Sequence, residues 1–143
     1  MKILWLSHLI PYPPKGGVLQ RSYNLVRELS RYHEIDLLAF NQKRLIGPLF
    51  ASLDEGVNEA MEVLSHFCGK LCFFDIASGN TLWGPYLLAL KSLFLEPYNI
   101  NWLKSKAFAD KMIDYIEEEK YDLIHFDTIS LIPFFPLVPS GTS

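Results

Sequence analysis

KILWLSHLIPYPPKGGVLQRSYNLV, residues 2–26, is the stretch that decides the fold. Lys2 to Ser7 is a near-continuous apolar run, the pattern of a parallel strand buried on both faces. Pro11-Tyr12-Pro13-Pro14-Lys15-Gly16-Gly17 then forms a proline-stiffened loop ending in paired glycines. From Val18 the apolar residues Val18, Leu25, Val26 and Leu29 have helical spacing, with Gln20, Arg21, Asn24, Arg27 and Glu28 mostly on the other faces. The helix is expected to end around Arg31 to His33. Strand, loop, glycines and helix together make an anion-binding arrangement. Glycine lets the backbone approach a ligand without a Cβ in the way. The first helical N–H groups lack intrahelical partners and point into the loop. A phosphate or sugar oxygen there meets free donors and the positive helix end.

Outward from this stretch the pattern repeats. Ile35 to Phe40 reads as a second buried strand, and Asn41 to Ala51 as loop. Ser52 with Glu55 is a capping box, and Leu53, Val57, Ala60, Met61, Leu64 and Phe67 continue it as a helix. Leu71 to Phe74 is a third strand, followed by a turn-rich connection from Asp75 to Thr81. Leu82 to Leu95 is strongly apolar, with Lys91 its only charge and Gly84-Pro85 near its start. It reads as a helix packed on the fold or, alternatively, as a membrane-facing or lipid-acceptor surface. Asn101 is expected to cap a helix with Trp102, Phe108, Met112, Tyr115 and Ile116 inward. Glu117-Glu118-Glu119 forms its solvated end. Tyr121 to Phe126 is a fourth strand, after which Asp127 or Thr128 could act as a cap.

Alternating strands and helices imply an α/β domain with a parallel sheet covered on both faces. Right-handed crossovers make it doubly wound and Rossmann-like. Residues 133–143 carry no obvious stop for such a fold. A further strand is expected just where the chain ends, so residues 1–143 read as one domain cut from something longer.

Composition narrows the function classes. A chain of 143 residues is about one domain, long enough for a core without staples. Half the residues are hydrophobic and a fifth are charged, which is globular composition. Net charge is −3 with no basic stripe, which argues against nucleic acid as main partner. Cys68 and Cys72 are the only cysteines. His66-x-Cys68-x3-Cys72 lacks a second ligand pair, so no metal is expected and both thiols read as buried. With no secretory signal pattern, they fit a reducing cytoplasm. No apolar run is long enough to span a bilayer.

Ligands of open α/β sheets bind beyond the carboxyl ends of the strands. His8 to Gly17 and His125 to Ser130 occupy such places. The first loop is neither a dinucleotide fingerprint nor a Walker loop: no Gly-x-Gly-x-x-Gly follows the strand, and no Gly-Lys-Ser/Thr is present. Ser7-His8 stands where a phospho-receiver domain would carry acidic residues. Of the histidines, His8 follows a strand end. His33 lies on the opposite rim and reads as structural, and His125 reads as a buried, hydrogen-bonded strand residue.

Met1-Lys2-Ile3-Leu4-Trp5-Leu6-Ser7, then Pro11-Tyr12-Pro13-Pro14-x-Gly16-Gly17, then Arg21-x-Tyr23-Asn24-Leu25, closely resembles the start of family-four glycosyltransferases of the GT-B fold. His33-Glu34-Ile35 and Tyr121-Asp122-Leu123-Ile124-His125-Phe126-Asp127 continue the resemblance. It spans both ends of the chain, while the middle is only compatible. The resemblance implies a sugar transferase of two Rossmann-like domains, with the acceptor mostly on the N-terminal one and the nucleotide-sugar donor on the C-terminal one. It also implies retention of anomeric configuration and no structural metal or other cofactor.

Carried onto this chain, the resemblance gives Gly16 and Gly17 to the donor diphosphate or transferred sugar. Arg21 could meet an anionic acceptor or a phosphate, and it and His8 are the acceptor-side candidates. Asp127, the catalytic candidate, stands where many members carry histidine; it could accept a hydrogen bond from a sugar hydroxyl, balance developing positive charge at the anomeric carbon or cap a helix. The family's paired glutamates with seven residues between them are absent. They belong to the donor domain, so the chain alone is expected to be inactive. The expected partners are a nucleotide sugar, a saccharide or lipid-linked acceptor and the C-terminal domain. The expected location is cytoplasmic, with possible contact at the inner face of the membrane. The alternative is a non-catalytic Rossmann-like binding module or split-enzyme subunit.

Overall fold

The computed structural model of the chain describes residues 1–42, 52–76, 103 and 105–139. Through these residues run β1 (Lys2–Ser7), α1 (Gly17–Leu29), β2 (Glu34–Asn41), α2 (Leu53–Ser65), β3 (Leu71–Asp75), α3 (Lys106–Glu118), β4 (Leu123–Phe126) and a 3-10 helix (Ile129–Leu137). The described strands form one sheet in the order β3-β2-β1-β4, and every neighbouring pair is parallel. Trp5 in β1 lies opposite Leu37 of β2 and His125 of β4. The α/β, Rossmann-like reading of the sequence is therefore met in its sheet.

Side-chain alternation along the strands sends two apolar sets to opposite faces. Ile3, Trp5, Ile35, Leu37 and Ala39 meet Val26 of α1 and Ala60 and Leu64 of α2. Leu4, Leu6, Leu38, Phe40 and Ile124 meet Phe108, Met112 and Tyr115 of α3. Helices thus cover both faces. Phe108 anchors the second layer, stacked on Phe40 at 4.4 Å and tilted against Phe134 at 4.7 Å.

Local chemistry starts two of the helices. Ser52 Oγ accepts from Glu55 N at 3.1 Å, so the predicted cap of α2 is present. α3 is capped by Ser105, whose Oγ accepts from Phe108 N at 3.3 Å. The cap therefore falls four residues after the expected Asn101. The inward face of α1 also differs from expectation: Leu19, Ser22 and Val26 are buried, whereas Val18 and Leu25 are exposed. The i, i+3, i+7 stripe runs one position later than the apolar count indicated, and it includes a serine.

β4 begins at Leu123, because Tyr121 leaves the ladder to serve a buried polar centre. Tyr121 Oη donates to Asp36 Oδ2 at 2.6 Å, and Lys70 N donates to Asp36 Oδ1 at 2.7 Å. Burial and then the Asp36 carboxylate push the Tyr121 hydroxyl well above its ordinary range. Around this centre Lys2 pairs with Glu119, and Lys70 with Glu118 and Glu119. The acidic end of α3 is therefore an ion-paired clamp across the amino-terminal rim of the sheet.

Cys68 is buried under α2, whereas Cys72, expected to be buried as well, is only half-buried and packs on the α3 face, so the two thiols lie on opposite faces of the sheet. Burial pushes the Cys68 thiol up to about 12. Among the described residues no helix is long and apolar enough to cross a membrane. Leu82 to Leu95, Asn101, Trp102 and residues 140–143 lie outside the described residues. After β4 the chain forms the 3-10 helix Ile129–Leu137, and the end of the chain, where a further strand was expected, lies outside the described residues.

Candidate functional site

β1 is the strand at which the winding reverses. The chain leaves it for α1 on one face, and enters β4, its other neighbour, from α3 on the opposite face. Loops that diverge this way open a crevice at the carboxyl ends of the two strands. Ser7 and His8 close β1 there, and Asp127 and Thr128 close β4. Asp127 N still donates to Leu6 O at 3.0 Å, which extends the β1–β4 pairing one residue past the strand.

The pleat points Asp127 toward the α1 face, along with Trp5, Ser7 and His125. Its side chain is 1% exposed. Oδ2 accepts from Ser22 Oγ of α1 at 2.8 Å and from Ser7 Oγ at 3.4 Å. His8 Nδ1 stands 3.7 Å from the same oxygen, an ion-pair distance rather than a hydrogen bond. Burial alone would raise this carboxyl. The approach of His8, the Ser22 hydroxyl and the charge of Arg21 outweigh it and hold Asp127 below its ordinary range. No backbone N–H of the following helix is capped by Asp127: the N-cap position is Thr128, which makes no side-chain cap bond. The helix-cap alternative for Asp127 is thereby replaced by a tertiary role, joining β4 to α1.

Orphaned polar atoms concentrate at the same place. Asp127 Oδ1, His8 Nδ1, Thr128 Oγ1, His125 Nε2 and Trp5 Nε1 are all buried without a hydrogen-bond partner among the described residues. Buried polar atoms are normally paired, so a cluster of exceptions marks a place built for something other than packing. His125 lies against Trp5 with ring centroids 3.9 Å apart and planes tilted by 35°. Burial lowers its basicity, with the Asp127 charge opposing and the Arg21 charge assisting. The expectation of a hydrogen-bonded His125 is corrected at Nε2, because neither Trp5 nor the neighbouring strand offers that atom an acceptor or donor.

The proline loop is strapped down at its base and open at its tip. Ile10 is fully buried, and its N–H donates to Phe40 O at 3.1 Å. Gln42 Nε2 donates to His8 O at 3.0 Å, and Tyr12 Oη donates to Glu59 Oε1 at 2.6 Å. That acceptor, with burial, pushes the Tyr12 hydroxyl up to about 12. Pro14, Lys15, Gly16 and Gly17 are exposed. Gly16 is the N-cap of α1 at φ 80°, a left-handed backbone that favours glycine. α1 has no side-chain cap and no acidic residue in its first turn. Its leading N–H groups therefore keep their capacity for an anion.

Of the predicted residues, His8 and Asp127 are brought together. Gly16 and Gly17 open the helix that Ser22 ties to Asp127, and the charge of exposed Arg21 reaches both Asp127 and His125. Ser7 and Ser22 were missed. Their signal was a hydroxyl ending an apolar strand and a hydroxyl within the Leu19, Ser22, Val26 stripe. Among the described residues no group of three or more His, Cys, Asp or Glu side chains is placed to hold a metal ion. Comparison of the chain with protein-family models, curated proteins and solved structures gives no match.

Proposed function

We propose that this chain is the N-terminal, acceptor-side domain of a GT-B glycosyltransferase. The whole enzyme would move a hexose-type sugar from a nucleotide-sugar donor to a hydroxyl of a saccharide or glycolipid. The observation that carries this reading is a juxtaposition at one sheet switch point. An uncapped, glycine-led helix start and a cluster of buried Asp127 and Ser22 with half-buried His8 meet where α/β folds bind ligands. The resemblance of the two sequence blocks to family-four glycosyltransferases supplies the reaction class.

On this reading the amides at Gly16 and Gly17 face the donor diphosphate. Negative charge grows on that group as the glycosidic bond breaks, and preorganised N–H donors stabilise it most at that moment. Positive charge grows at the anomeric carbon and is met by the negative field of Asp127. That carboxylate is too enclosed to be the first group a sugar meets. His8, with 13% of its side chain exposed, is the member of the pair that reaches the crevice, and Asp127 positions it. Ser22 transmits the same constraint to α1, so the helix start and the histidine are held in one frame. Catalysis is then mainly orientation and electrostatics. A second Rossmann-like domain holds the nucleotide, the outcome retains anomeric configuration, and no metal takes part. A cytoplasmic enzyme at the inner membrane face would suit a glycolipid acceptor.

Gly17→Val tests the reading. A Cβ at Gly17 meets no atom within 4 Å, so the fold accommodates it, while the branched side chain crowds the helix start. In the enzyme that carries this domain, transfer of labelled hexose should fall at least about tenfold, a loss of roughly 1.4 kcal/mol of transition-state stabilisation, with an unchanged melting temperature. Unchanged kinetics would remove the loop from the site.

A further inference from the structure

Val18, Leu25 and Tyr32 repeat at seven-residue intervals, which sets them in one line along α1 and the turn after it. That turn keeps the helical path: Ser30 N donates to Val26 O and Tyr32 N to Leu29 O, both at 3.0 Å. The three side chains are left to solvent, at 55%, 39% and 78% exposure. They are uncovered because the inward stripe of α1 is Leu19, Ser22 and Val26. One exposed apolar side chain is ordinary, but three aligned on one helix flank mark a contact surface. Arg21 and Glu28 fall between them on the same line, three or four residues from each neighbour.

Charge is distributed unevenly around this line. Residues 15–31 hold four of the chain's 13 lysines and arginines, Lys15, Arg21, Arg27 and Arg31, against one of its 16 acids, Glu28. All four cations are exposed. Glu28 is ion-paired with Arg27 at 3.1 Å and with Arg31 at 3.0 Å, so the one acid on this face is already neutralised. Lys15 and Arg21 have no ion pair among the described residues. A chain of net charge −3 thus carries one helix face with an excess of three positive charges.

We propose that this face of α1 docks on an anionic lipid bilayer. The helix lies along the interface, with Val18, Leu25 and Tyr32 against the acyl boundary and the cations among the headgroup phosphates. Lysine and arginine stems are long enough to rest on the apolar line while their heads stay with the phosphates. The Tyr32 ring and hydroxyl suit headgroup depth, where one end is apolar and the other wet. Charge complementarity selects this partner. The excess of positive charge attracts an anionic surface and repels the same face of another copy, while aliphatic Val18 and Leu25 offer nothing to a nucleic-acid backbone. That the docked face brings a glycolipid acceptor to the crevice rests on the transferase reading; the docking itself does not.

The test is co-sedimentation of the full chain with phosphatidylcholine vesicles and with vesicles that also contain phosphatidylglycerol. The chain should bind the anionic vesicles at least about tenfold more tightly, and added salt should weaken that binding. Leu25→Glu and Tyr32→Ser, both at exposed positions, should leave the melting temperature unchanged. The first should weaken vesicle binding at least about tenfold and the second about fivefold. Lys15→Gln and Arg31→Gln should each weaken it about fivefold. No preference for anionic vesicles, or binding unchanged in Leu25→Glu and Tyr32→Ser, would overturn the proposal. Vesicle binding needs no sugar donor, so the two readings separate. Its absence in an enzyme that transfers hexose would overturn this face and leave the transferase reading intact. Vesicle binding by an enzyme inert toward every donor would leave the face and remove the transferase reading.

Discussion

Ser22→Ala should destabilise the domain by about 1.5 kcal/mol at neutral pH, although it replaces a helix residue by a better helix former. The hydroxyl lost is 3% exposed as a residue and donates at 2.8 Å to a carboxylate whose side chain is 1% exposed. A hydrogen bond to a charged acceptor contributes about 2 kcal/mol. Alanine's helix propensity returns about 0.5 kcal/mol. What remains for Asp127 Oδ2 is the longer bond from Ser7 at 3.4 Å and His8 at 3.7 Å.

The assay is urea unfolding of wild type, Ser22→Ala, Asp127→Asn and the double variant. Asparagine keeps an acceptor but removes the charge, so the cost of Ser22→Ala in that background should fall to about half. The pH dependence gives an independent check. Asp127 has a depressed pKa in the fold, so its stabilisation is present above its ordinary value of 3.8 and is lost as pH falls through the folded value. The Ser22→Ala penalty should shrink across that acid window. A penalty below about 0.5 kcal/mol, or an equal penalty in the Asp127→Asn background, would refute the claim that Asp127 joins β4 to α1.

Three further outcomes follow from the geometry. Gly69→Ala places a Cβ 2.7 Å from Asp36 Oδ1, displacing the acceptor of Lys70 N and Tyr121, and should cost at least about 2 kcal/mol by thermal unfolding. Gly16→Ala should cost about 1 kcal/mol although a Cβ there meets nothing, because φ 80° is the strain and not contact. His125 has a depressed pKa; as a buried base its neutral form is favoured, so stability should fall as pH drops below its ordinary value near 6.5 and level off below the folded value. His125→Phe, which keeps a ring against Trp5, should flatten the slope between about pH 5 and 7.

The parallel strands were legible because each is a short apolar run bounded by polar or turn residues, and β1, β2 and β3 match their runs within a residue. The α2 cap was legible because Ser52 and Glu55 act within one turn. The α3 cap was missed because both Asn101 and Ser105 are competent caps, and only packing of Phe108 and Met112 chooses the later start. Tyr121 reads as strand by its apolar ring, but its hydroxyl is claimed by Asp36, 85 residues earlier. Of the switch-point site, the glycines, His8 and Asp127 were visible as residues after strand ends. Ser22 was not, since a serine among Arg21 and Tyr23 carries no mark of its tertiary partner.

The central claim, that the glycine-led start of α1 at the β1–β4 switch point meets the donor diphosphate, is tested most directly by titrating the labelled enzyme that carries this domain with UDP-glucose and related donors. The amides of Gly16, Gly17 and Val18, with those of His8 and Thr128, are predicted to shift together and saturably, and Ser22→Ala to weaken the response by loosening the helix start. Signals at these positions that stay fixed with every donor, while the fold is intact, would contradict the account.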